Sequence, residues 1–411
     1  MAIERQVPDP AQIAEPVQDL TNERSTEDID EEIIEVLDAM GEGEDNIQMQ
    51  DDGSAILGPE EPMMPNVGFA ENLAEVISPQ ELSTIYIELV GAIESDKSSR
   101  EDWERTYTDG LKYLGMKFDD NRSEPFAGAS GVIHPLLGES VTQFQAQAYK
   151  ELLPAGGPVK TQVIGAYDGL VEEQAQRVKE FMNYQITHVM EEYDEELDQM
   201  LFYLPLAGSA FKKVYYDETL SRPVSKFVAP EDLIVPYYTT DLETCSRITH
   251  VVKMPENDVR KLQAIGFYKN VDVETGDNVT LNSDIQSEKE KLEGIEPSYD
   301  DGEVSVLYEV HCNLDLEGFE DMGQDGEPSG VKLPYIVTID SNSENILAIR
   351  RNFKEEDPMK KKTEYFVHFK FLPGLGFYGF GLTHMIGGLS KASTSIVRQL
   401  IDAGTLANLP A

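Results

Sequence analysis

Residues 374–379 read Gly374-Leu375-Gly376-Phe377-Tyr378-Gly379, a literal G-x-G-x-x-G between an expected strand and an expected helix. In a dinucleotide-binding turn that spacing brings backbone amides against a pyrophosphate at a helix N-terminus. Three features argue otherwise here. The upstream strands read as antiparallel. No further strand with an acidic residue follows about twenty residues on. Phe377, Tyr378 and Phe380 are bulky where a phosphate needs open backbone. The preferred reading is an aromatic-glycine corner, built on Gly374, Gly376, Gly379 and Gly381, that turns a strand into a helix. A nucleotide-binding enzyme using Gly374, Gly376 and Gly379 is the alternative.

The other reactive residue types form no catalytic spacing. The six histidines, at 134, 188, 250, 311, 368 and 384, show neither H-x-x-x-H nor H-E-x-x-H. His250, His311 and His368 fall in expected strands and read as packed side chains. Asp315–Glu327 is acidic enough to attract calcium but lacks the spacing of a calcium loop. Two distant cysteines, Cys245 and Cys312, exclude a disulfide scaffold and a four-cysteine zinc site. No catalytic residue, metal or cofactor is expected. The one basic cluster is Arg350, Arg351, Lys354, Lys360, Lys361 and Lys362. It reads either as a solvated turn or as a patch facing DNA or an acidic partner.

That cluster stands in a chain of 411 residues with formal charge −44. A protein that grips DNA over its surface needs Lys and Arg to displace counterions, so broad nucleic-acid binding is excluded. A protein that must not stick to DNA is still allowed. Residues 1–61 hold 19 acidic and 2 basic residues and no aromatic one. Such a segment buries too little apolar surface to offset its ordering entropy, so disorder is expected over 1–68. One short amphipathic helix is expected within it, at Ser25–Met40. There is no signal-peptide pattern at the N-terminus. The uncharged window 371–390 is long enough for a bilayer, but its proline and six glycines argue against a span.

Order is expected from residue 69. Leu82, Ile85, Leu89 and Ile93 recur at helical spacing after Ser78-Pro79. A polar helix carrying Trp103 follows, then a loop, then a helix over 135–153. Another, whole or broken, runs over 171–204 with an acidic face at Glu191–Glu196. The segments 211–217, 225–236 and 247–254 read as one antiparallel sheet. A short helix stops at Gly266, and a further one is expected around Ser287–Leu292. Four strands of a second β region follow, at 304–314, 333–340, 346–353 and 365–372. The last element is a helix over 382–406. Leu382, Ile386, Leu389, Ser393, Ile396 and Leu400 form a heptad seam along it, and Gly387, Gly388 and Ser390 keep its surface small-sided. Gly387, Gly388, Leu389, Ser393, Ile396 and Leu400 are therefore the candidate subunit-packing residues.

Several strings together resemble one family. They are Ser99-Arg100 with Trp103, EPFAGASGVIHPLL (124–137), LLPAGGPVKTQVIG (152–165), LPLAGSAFKKVYYD (204–217), PEDLIVP (230–236) and DLETCSRITHVVKM (241–254). The longest is LPGLGFYGFGLTHMIGGLSKASTSIVRQLIDAGTLANLP (372–410). The chain resembles the portal, or head-to-tail connector, protein of short-tailed double-stranded DNA phages over about 70–411.

The resemblance implies an α+β portal fold with an α/β wing, a β-rich clip and long stem helices. The expected division is an acidic disordered arm (1–68), a wing-like domain (69–280), a β-rich stem/clip region (281–375) and a stem helix (376–411). In the family that helix is followed by a channel loop, a further long helix and a crown. The sequence stops before them and is expected to be a fragment. The resemblance further implies a non-enzymatic ring of twelve subunits at one capsid vertex of the virion, assembled in the host cytoplasm. Double-stranded DNA would pass through it in packaging and ejection. Its partners would be the terminase large subunit, tail adaptor proteins, and capsid and scaffolding proteins, with no membrane. Another head–tail adaptor of the virion is the alternative. A mostly negative wall suits a conduit, because it repels phosphates and lets a duplex slide. Glu191–Glu196 and Glu317–Glu327 are the candidates to line it.

Overall fold

The computed structural model describes residues 67–115, 129–165, 169–218, 220–273, 284–294, 304–322, 327–343 and 345–408, and the backbone of 47–49 and 55–57. The chain divides into two units, Met1–Met64 and Pro65–Ala411. In the first, β1 (Ile47–Met49) and β2 (Ala55–Leu57) pair antiparallel. The rest of the acidic arm, including the expected Ser25–Met40 helix, lies outside the described residues up to residue 66.

The second unit mixes helices with two antiparallel sheets. It opens on α1 (Pro79–Ser99), where the Ser78 hydroxyl accepts the Glu81 N–H and proline takes the first position. Then come α2 (Glu101–Lys112), α3 (Leu136–Leu152) and α4 (Gly169–Tyr184), which runs on through a π turn to Val189. The long helix expected over 171–204 breaks there and restarts as α5 (Tyr193–Ala207), closed by Gly208 in the left-handed region. Two short helices, α6 (Glu256–Ala264) and α7 (Asp284–Glu293), precede the last, α8 (Leu382–Ala407).

The strands group differently from the sequence expectation. β3 (Ser209–Asp217) pairs with β4 (Arg222–Val228) as expected, but its other neighbour is β10 (Phe366–Lys370), about 150 residues downstream. The next strands, β5 (Leu233–Ile234) and β6 (Arg247–Pro255), leave that sheet. They join β7 (Val304–Leu314), β8 (Leu333–Asp340) and β9 (Ile346–Arg351) in a five-stranded sheet of order β5-β6-β7-β8-β9. The segment 225–236 is therefore not one strand. Pro230 starts a short 3-10 turn that carries the chain from one sheet to the other. The chain thus crosses from the smaller sheet to the larger and returns to the smaller at β10, all within the unit Pro65–Ala411.

Side-chain alternation explains how the layers meet. On β7, Val306, Tyr308, Val310 and Cys312 face the Leu82, Ile85, Leu89 and Ile93 stripe of α1. Leu307 faces the other way and packs with Val259 of α6. Glu309 and His311 share that second face, and there the three-stranded sheet takes over from α6. The joint between the sheets holds Phe211, Val228, Leu233, Val235, Ile248, Phe366 and Phe377. α5 covers the far side of the smaller sheet with Leu197, Met200, Leu201 and Leu204, against Ala210 and Phe227. A separate helical core gathers Tyr107, Leu111, Leu137, Val141, Leu206 and Ile285, with Leu382 and Ile386 packed on it.

Candidate functional site

The glycine-rich corner launches α8. After β10 the chain makes a bridge between Leu372 and Phe380, and the loop between them folds back on the body. Phe377 is buried, 5.9 Å from the Phe211 ring and stacked with it. Tyr378 stacks on Trp103 at 4.4 Å, and its hydroxyl donates to the Leu233 carbonyl. Gly379 and Gly381 lie against the backbone at the α5–β3 junction. A Cβ on Gly381 would meet the carbonyl oxygens of Leu206 and Pro205 at 2.6 and 2.7 Å. A Cβ on Gly374 would meet the Tyr378 carbonyl at 2.6 Å. Gly376 has open space around it, and Leu375 is fully exposed.

Three amides at the foot of α8 are already engaged within the fold. The Gly379 N–H donates to the Ser209 hydroxyl, the Phe380 N–H to the Leu372 carbonyl and the Gly381 N–H to His384 Nδ1. Thr383 bonds back to the Leu206 carbonyl. Three of the four glycines are thus small because main chain passes against main chain there.

α8 itself has two different faces. Inward, Leu382 and Ile386 join the helical core, and Thr383, Gly387, Ser390 and Thr394 are buried. Further along, the face is polar. An extended strap at 130–134 lies along it. The Ser130 N–H donates to Asp402 at 2.6 Å, the His134 N–H to the Thr394 hydroxyl at 3.0 Å, and Arg398 Nε to the Val132 carbonyl at 2.7 Å. Thr394, Arg398 and Asp402 are spaced by four, so one stripe holds the strap.

Outward, Met385, Leu389, Ile396 and Leu400 are 60%, 60%, 57% and 68% exposed. With Ala392 and Ala403, also exposed, they make an apolar stripe. The seam read from sequence therefore divides. Leu382 and Ile386 belong to the chain's own core, while Leu389, Ile396 and Leu400 face solvent and Ser393 lies between. Leu382 and Leu400 lie about five turns apart on the same side of the helix, so the division arises because the body covers only the first turns of that side. Gly388 is on the open side, with nothing among the described residues within 4 Å of an added Cβ. α8 carries Lys391, Arg398 and Asp402 as its only charged residues, so it is nearly neutral in a strongly acidic chain.

The basic cluster is largely committed to the fold. Arg350 donates to the carbonyls of Ala70 and Phe267, and Arg351 to those of Gly68 and Phe69. Lys360 pairs with Asp321, and Lys362 donates to the Leu242 and Cys245 carbonyls. Lys354 and Lys361 are exposed. The acidic run 191–196 is divided in the same way. Glu192 accepts from Arg222 and the Ser225 N–H, and Glu196 from the Phe227 N–H. Glu191, Asp194 and Glu195 are exposed, and the Tyr149 hydroxyl donates to Asp194. Part of the acidic loop 317–327 lies outside the described residues.

The sequence reading missed the strap, and its signal was present: polar residues at 394, 398 and 402 repeat every four on an otherwise apolar helix. It also passed over what Arg100 does. That fully buried guanidinium donates to the carbonyls of Leu233 and Glu231 at 2.9 and 2.6 Å and reaches the Tyr378 hydroxyl at 3.3 Å. It ties α2 to the strand crossover and to the corner.

Among the described residues no group of His, Cys, Asp and Glu side chains is placed to hold a metal ion, and no helix is long and apolar enough to cross a membrane. Compared with known proteins, the chain matches no family model and no curated sequence.

Proposed function

We propose that this chain is a portal subunit of a double-stranded DNA phage. It packs beside copies of itself in a ring of twelve, around a passage for genome packaging, retention and ejection. The observation that carries the reading is the outward stripe of α8: a 26-residue helix tethered on one face and apolar and uncharged on the other. Fully burying a Leu, Ile or Met gives about 1.5–3 kcal/mol, so four such residues per interface favour association strongly. The near-neutral helix avoids the like-charge repulsion that the rest of a −44 chain brings to self-association. The strings that resemble the family include both the strap and α8.

In this reading the subunit is structural and non-enzymatic, and it sits at the portal vertex of the virion. The terminase large subunit docks on the ring during packaging, and tail adaptor proteins dock afterwards. Capsid and scaffolding proteins surround it. Electron microscopy of the purified chain tests the reading. Annular particles with a central opening wider than a DNA duplex, about 20 Å, support it. Uniform compact particles without an opening overturn it.

A further inference from the structure

We propose that the joint between the two sheets is an acid-operated latch, in which a proton on His250 releases the β3–β4–β10 sheet from β6 and β7. The proposal concerns one subunit's fold and does not rest on the portal reading.

The joint carries a small ionic cluster. Lys213 of β3 reaches across to Glu309 of β7, with its Nζ 2.6 Å from both carboxylate oxygens. Glu309 Oε1 also lies 2.8 Å from His311 Nε2. His250 of β6 stands directly opposite Glu309 in the β6–β7 register, and opposite Leu233 on β5. β10 supplies Phe366, whose ring lies edge-on to both imidazoles at 5.5 and 5.2 Å. The phenol of Tyr365 borders His311, and Tyr268 lies within electrostatic range of Glu309. Burial pushes both phenols above their ordinary range, so they stay neutral.

The charged and titratable groups facing His250 are then Lys213, Glu309 and His311. Lys213 and Glu309 already balance. Among the described residues the buried His250 Nδ1 has no hydrogen-bond partner. A proton there adds a cation beside Lys213 with no acceptor to receive it. Burial, then Lys213, hold His250 down to about 4. The opened or unfolded chain takes the proton near the ordinary 6.5. Between these values the open form binds more protons, so closure weakens as pH falls through that window. Glu309 is held below the usual carboxylate range, despite burial, by its bond to His311 and by Lys213, so it remains charged throughout.

Hydrogen exchange on the full chain, followed from pH 7 to 4 and corrected for intrinsic rates, tests the latch. The expected result is early loss of protection at 209–217, 222–228 and 366–370, while 306–312 and 335–339 keep theirs. His250→Phe should move that loss about one pH unit lower. Glu309→Gln, which strands Lys213, should move it higher; this second variant serves if the first does not fold. His368 of β10 is also held low, to about 3, by burial. Loss that is delayed by His368→Phe but not by His250→Phe overturns the proposal. So does simultaneous loss across both sheets.

Discussion

Gly208 and Gly381 touch backbone to backbone: a Cβ on Gly381 would lie 2.7 Å from the Gly208 nitrogen, and one on Gly208 would lie 2.6 Å from the Gly381 nitrogen. One residue ends α5 and the other begins α8, so this contact fixes where the long helix leaves the body. Gly208 also has φ +85°, where a side chain is strained. Gly381→Ala should lower stability by about 2–4 kcal/mol, because main chain on both sides must move. Gly376→Ala, in open space, should change it by less than about 0.5 kcal/mol. Urea denaturation of the two variants checks the contrast. If Gly376 instead serves a nucleotide, calorimetry with ATP, GTP and NAD should show binding that Gly376→Val removes.

Arg100 is the second fixed point. Lysine in its place keeps the charge but cannot reach two carbonyls and a phenol from one planar group. Arg100→Lys should therefore cost about 2–4 kcal/mol, since acceptors are left unpaired in the interior. The Trp103 emission spectrum should shift as the Trp103–Tyr378 stack loosens. Unchanged stability would show that the guanidinium contacts are incidental.

Lys212 gives a pH test of its own. It is buried over the Tyr193 ring at 4.2 Å, its Nζ has no hydrogen-bond partner among the described residues, and burial holds it down to about 8. The unfolded chain keeps its proton up to about 10.5. Between those values the unfolded state binds more protons, so this group's contribution to stability improves as pH rises. Lys212→Met should stabilise the fold by about 1–2 kcal/mol at pH 7, and that advantage should fade by pH 10.5. Thermal melts across pH 7 to 10.5 measure it.

The stripe on α8 separates folding from assembly. Leu389→Glu and Ile396→Glu face solvent in the single chain and should shift its melting temperature by only about 1–2 °C, while abolishing association. Gly388→Leu fits the free chain without contact and should hinder association far more than folding. Equal loss of both would place these residues in the chain's own core.

Much of the helical layer was legible because its signals are local. The Leu82–Ile93 stripe, the Ser78 cap and the Gly266 stop all lie within a few turns of the element they define. Strand grouping was legible only between neighbours in sequence, as for β3–β4 and β7–β8–β9. β10 finds β3, and β6 finds β7, across long stretches of intervening chain, and nothing in a strand's own residues names such a partner. The candidate site was half legible. The period of α8 was visible, but which turns face the body depends on the strap and on the Gly208–Gly381 contact. Arg350 and Arg351 read as a surface charge cluster because their acceptors are backbone carbonyls about 280 residues upstream and at Phe267.

The most direct measurement of the central claim is native mass spectrometry of the purified chain at rising concentration. The account predicts a species of twelve 45.9-kDa subunits that disappears in Leu389→Glu. A chain that stays monomeric at every concentration, or a wild-type oligomer that Leu389→Glu leaves intact, would contradict it.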